Sequence, residues 1–105
     1  MADVIDINGR NPLLGTWRAC DGFSDVRYTV SAEGGKLTVT GIDTGEGERA
    51  KIYDVSWRED KRILEFSAYW PSTGRMTKNR FQPLTANDRA DVTYTFTAQE
   101  TWERV

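Results

Sequence analysis

The side chains best suited to recognition sit in Arg75-Met76-Thr77-Lys78-Asn79-Arg80-Phe81, where cations, an amide and a hydroxyl interrupt an otherwise apolar rhythm. In an extended strand, alternate residues share a face. The inward set is therefore either Arg75, Thr77, Asn79 and Phe81 or Met76, Lys78, Arg80 and Gln82. Both sets place a cation or an amide where a dry core has none, and a buried group of that kind needs a partner or a polar ligand. The competing reading is an edge strand wet on both faces or covered by a second subunit.

Other chemistry is poorly supported. Asp43-Thr44-Gly45-Glu46-Gly47-Glu48 has the composition of a calcium loop, but it lacks the D-x-D-x-D-G spacing and the bidentate twelfth residue, so it reads as a connecting turn. Cys20 has an acidic neighbour in Asp21, which disfavours a thiolate. Gly34-Gly35 precedes no helix that would complete a phosphate loop. Asp54 and Glu65 alternate against apolar neighbours and belong on the surface. With no histidine in the chain, His-based triads, His zinc ligands and proximal-His haem are excluded. One cysteine permits neither an internal disulfide nor a Cys-only zinc site. No spacing selects a reaction, and neither an enzyme, a metal nor a cofactor is expected.

The elements that must position these groups are strands. Val26, Tyr28, Val30 and Ala32 alternate, and Leu37 and Val39 resume the rhythm after Glu33-Gly34-Gly35, a hairpin signature. Gly41 to Gly47 reads as a glycine-punctuated turn. Tyr53, Val55 and Trp57 follow, then Leu64, Phe66, Ala68 and Trp70. A polar strand runs from about Arg75 to Gln82, and Val92, Tyr94, Phe96, Ala98 and Trp102 close the series. Threonine occurs 12 times, which suits a pleated surface, and no segment carries a sustained helical period. Asn11-Pro12-Leu13-Leu14 reads as one helical turn with Asn11 capping it. Short links permit only antiparallel pairing. The expectation is an all-β antiparallel meander of about seven or eight strands, curled into a small barrel so that its apolar face is buried and its edges are hidden.

The 105 residues fit one domain, with residues 1–10 as a short N-terminal arm and 11–105 as the barrel. With 14 basic and 16 acidic residues the net charge is −2, so no global field selects nucleic acid or an anionic membrane. The charge is uneven along the chain. Asp43 to Asp60 holds six acids and three bases, whereas Pro71 to Phe81 holds three bases and no acid. The N-terminus shows no basic region followed by an apolar run, and no stretch reaches the ~20 apolar residues of a membrane helix. With a single thiol, the expected location is cytoplasmic.

Gly15-Thr16-Trp17 opening the first strand, together with Trp102-Glu103-Arg104 at the end, resembles the lipocalin-like (calycin) barrels. In that family a Gly-x-Trp begins the first strand, and a basic side chain from the last strand packs across the tryptophan. The resemblance implies that Trp17 and Arg104 close the base of the barrel through a cation–π contact. It also implies an interior that takes a small, partly apolar or amphipathic molecule. The ligand-binding residues expected on that reading are Tyr28, Tyr53, Trp57, Phe66, Trp70, Asn79, Arg80 and Tyr94. The alternative is a packed structural or interaction domain that forms a homodimer and holds no ligand, since so short a chain gains burial from a partner.

Overall fold

The computed structural model describes residues 11–20, 22, 24–84, 88–97 and 100–105. The arm expected over residues 1–10 lies outside that range. The chain forms eight strands: β1 (Gly15–Arg18), β2 (Val26–Glu33), β3 (Lys36–Asp43), β4 (Glu48–Arg49), β5 (Lys51–Arg58), β6 (Ile63–Trp70), β7 (Arg75–Pro83) and β8 (Ala90–Thr97). There is no helix among the described residues, hence none long and apolar enough to cross a membrane. Every pairing is antiparallel. The strands form two sheets of four, ordered β1-β2-β3-β4 and β5-β6-β7-β8.

Local chemistry accounts for the links. Gly34 and Gly35 take φ of 59° and 81°, the two positive values that a two-residue hairpin turn requires. The Asn11 side chain accepts the Leu13 N–H at 2.9 Å and holds the entry to β1 as a turn. Chain crossover between the sheets occupies a single residue, Ala50, whose N–H donates to the Gly41 carbonyl at 3.0 Å. Glu48 ties the far end of the two sheets by accepting from the Ser72 N–H and hydroxyl at 2.8 and 2.7 Å.

The inner faces meet in a core of Leu13, Val30, Leu37, Val39, Leu64, Phe66, Ala68 and Phe81. In β3 and β6 the alternation is strict: Leu37 and Val39, then Leu64, Phe66, Ala68 and Trp70, are buried while their sequence neighbours are less so. At the β1 end the sheets are pinned by the Trp17 ring, which stands edge-on to Phe81 with centroids 6.4 Å apart.

Several expectations change. No closed barrel is found among the described residues, because β1 and β8 remain the edges of separate sheets. A four-residue β1 offers too few ladder positions to span the eight residues of β8. The last strand ends at Thr97, so Trp102, 85% exposed, is not part of it. Arg104 is exposed, and the one cation over an aromatic ring among the described residues is Arg75 above Phe96, at 4.9 Å. Trp17 instead donates its Nε1–H to the Leu13 carbonyl at 2.8 Å. The expected rhythm Tyr53, Val55, Trp57 is broken by a bulge between Tyr53 and Ser56, with Asp54 at φ 55°. Ahead of the bulge it is Ile52 that pairs with inward Ala68, and Tyr53 turns outward, 46% exposed. Finally, Gly41 is not part of a turn. It lies within β3, directly across from Tyr28.

Candidate functional site

β7 presents Arg75, Thr77, Asn79 and Phe81 to the inner side, since these pair with Trp70, Ala68, Phe66 and Leu64 of β6. Asn79, only 6% exposed, is thereby held among aromatic rings, and its Nδ2 donates to the Thr77 hydroxyl at 3.0 Å. From the opposite sheet Tyr28 leans over the same spot. Its ring stands edge-on to Phe66 at 4.9 Å and to Phe81 at 6.2 Å, contacts whose geometry suits the quadrupoles of the rings. The ring comes this close to β3 because Gly41 has no side chain: a Cβ there would lie 2.8 Å from Tyr28 Cε1.

The Tyr28 phenol therefore meets Thr77, Trp70 and Asn79 in a small uncharged polar cluster. Burial raises its pKa above the usual 10.0, and the hydrogen-bonding side chains of Thr77, Trp70 and Asn79 pull it part of the way back. The sign follows from linkage. Below pH 10 the phenol is neutral in both folded and unfolded chains, and its contribution is fully present. Above that, the unfolded chain ionises first, and stability is lost until the folded phenol ionises too. Tyr28→Phe is expected to flatten the fall of unfolding free energy above pH 10, as measured by urea titration at several alkaline pH values.

Beyond this cluster the inner face is uncovered. Val92, Tyr94 and Phe96 of β8 continue it, paired with Phe81, Asn79 and Thr77, yet they are 44%, 62% and 54% exposed. Sheet one reaches across β5 to β7, and β8 overhangs it. Of the residues expected to bind a ligand, the structure brings Tyr28, Phe66, Trp70, Asn79 and Tyr94 to one face. Trp57 is on that face too, but at the end of β5, where its Nε1–H donates to Glu59 at 3.3 Å.

Tyr53 and Arg80 are on the opposite side. Arg80 donates from Nε and Nη2 to Glu65 Oε2 at 3.2 and 3.1 Å, and Arg58 approaches the other oxygen at 3.5 Å. Arg80 and Glu65 border an open groove of about 500 Å³ together with Asp54, Ser56, Lys78, Thr93 and Thr95. Exposed ion pairs of this kind contribute little, and the groove is solvated surface whose Glu65 carboxylate is already matched.

Two members of the inner cluster were not singled out from the sequence. Thr77 belongs to one of the two face sets between which the sequence does not choose. Gly41 carries a usable signal, since a glycine inside a strand pattern marks a close approach, but the glycines that follow it make the segment read as a turn. The acidic loop behaves as a turn: Asp43 Oδ1 accepts the N–H groups of Gly45 and Glu46 at 2.9 and 3.4 Å. Among the described residues no group of three or more Cys, Asp or Glu side chains is placed to hold a metal ion. No protein-family model, curated protein or solved structure matches the chain.

Proposed function

We propose that the chain is a small-ligand-binding module, a lipocalin-like ribbon left open between β1 and β8, which takes a small, neutral, partly apolar molecule on its inner face. What supports this reading is one observation: Tyr28, Trp70, Thr77 and Asn79 form an uncharged polar cluster in an aromatic wall, and the wall continues into the uncovered rings of Tyr94 and Phe96. A wall of apolar rings with a few converging polar groups is the usual make-up of a small-molecule site.

The chemistry narrows the ligand class. The cluster offers donors (indole N–H, phenol O–H, amide NH₂) and acceptors (hydroxyl and amide oxygens), so it complements a neutral group that both gives and takes hydrogen bonds. An ammonium would lose its hydration there with no carboxylate in the cluster, and the cation on the same face, Arg75, is engaged over the Phe96 ring. The apolar body of such a molecule lies along the exposed rings of Tyr94 and Phe96.

A panel of aryl amides and alkyl alcohols, read by thermal shift and then by calorimetry, tests this. Some members are expected to bind, and Asn79→Leu or Thr77→Val is expected to weaken them by up to roughly tenfold, the worth of one neutral hydrogen bond. Circular dichroism checks that each variant still folds. Binding that survives both substitutions unchanged, or no binding by any member, rejects the proposal.

A further inference from the structure

We infer that β8 is a self-association edge, and that two copies of this chain join by antiparallel pairing of their β8 strands into one eight-stranded sheet. The other edges of the fold are guarded: β1 is four residues long, and β5 runs on from β4 at Ala50, which is bonded to β3. Among the described residues β8 lacks most of the usual protections. It is eight residues long, has no bulge in its pairing with β7, and contains no proline and no lysine. Such an edge presents a row of unpaired N–H and C=O groups as a template.

The strand is also complementary to itself. Opposed residues in an antiparallel pair share a face, so a two-fold pairing that keeps inner residues together is centred on one residue. Centring on Tyr94 sets Tyr94 against its own copy and Val92 against Phe96 of the other chain, twice. These three are the exposed large apolar residues of β8, and aromatic and aromatic–β-branched pairs are favourable across strands. On the outer face Thr93 opposes Thr95.

Charge agrees. Asp91 is the single charged residue of β8. In this register it opposes Thr97 of the other copy, with Gln82 of its own β7 on its other side, so no like charge faces it across either pairing. The two Asp91 residues stand six positions apart, roughly 20 Å at the rise of a strand, and do not repel at close range. A shift by one residue would set inner against outer side chains and lose the match.

The test is sedimentation equilibrium of the full chain across the micromolar range, together with directed crosslinking. A mass twice the 11.9 kDa of one chain is expected for the native sequence. Tyr94→Lys, at an exposed position, is expected to restore the single mass while leaving the circular dichroism spectrum unchanged. In a Cys20→Ser background, Tyr94→Cys is expected to give a disulfide-linked dimer under mild oxidation, whereas Thr97→Cys gives none. A native chain that stays monomeric overturns the inference. So does a dimer that persists with Tyr94→Lys, which places the contact elsewhere. A monomer whose β8 amides resist hydrogen exchange also overturns it, since another segment of the same chain then occupies the edge.

Discussion

Phe66→Ala is expected to lower the unfolding free energy by about 3–5 kcal/mol, whereas Phe96→Ala, on the same face of the same sheet, is expected to cost less than about 1 kcal/mol. Phe66 is 2% exposed, with the rings of Tyr28 and Phe81 at 4.9 and 5.7 Å. Removing it deletes a full ring from a place where neighbours on both sheets cannot collapse inward, so the transfer and cavity terms add. Phe96 is 54% exposed and belongs to the strand that overhangs the first sheet. Truncating it leaves no cavity. For a domain of this size, whose total stability is of order 5–15 kcal/mol, the first change amounts to a drop in Tm of roughly 12 °C or more. Differential scanning calorimetry of both variants, below the concentration at which β8 edges associate, reads the contrast. Equal losses would mean that Phe96 is buried in solution and that the inner face is covered.

The same contrast explains which parts of the molecule were legible in the sequence. Gly34-Gly35 and the alternation of β3 and β6 are local signals with one solution: two positive φ values, or one face apolar at every second position. The extent of β6 follows, whereas β3 runs on through Gly41 to Asp43, past the glycine that reads as the start of a turn. The face of β7 was undecidable locally because both parity sets are polar. It is settled by Phe81 and Asn79 being drawn under Trp17 and Tyr28, contacts more than 50 residues distant in the chain. The bulge at Asp54 was hidden because no glycine or proline announces it. Aspartate tolerates the left-handed region better than most residues, so the inversion of Tyr53 carries no composition mark. Closure of a barrel depends on stagger and on the length of the edge strands, not on rhythm. A period of two is compatible with a barrel and with two sheets open on one side.

Gly41→Ala offers the sharpest test of how the site is assembled, because two effects oppose each other in sign. In a strand position with free space, alanine in place of glycine is expected to stabilise by roughly 0.5–1 kcal/mol, through the smaller loss of backbone freedom. At Gly41 the new Cβ meets Tyr28 Cε1 and Cδ1 at 2.8 and 2.9 Å and Ala50 Cβ at 3.4 Å. The Tyr28 ring cannot swing freely away, since Phe66 and Phe81 hold its other edges. Overpacking of about 1–3 kcal/mol therefore wins, and the variant is expected to be less stable than the native chain. Gly41→Val is expected to be worse still. The ring displaced by either change carries its hydroxyl away from Thr77, Trp70 and Asn79, so whatever amide or alcohol binds the native chain is expected to bind the variant more weakly. In a Tyr28→Ala background the obstacle is gone, and Gly41→Ala is expected to become neutral or favourable. That reversal, a coupling of about 0.5–3 kcal/mol in a double-mutant cycle, isolates the contact between the two residues. A Gly41→Ala penalty of the same size in both backgrounds would show that the backbone of β3, and not the Tyr28 ring, demands the glycine.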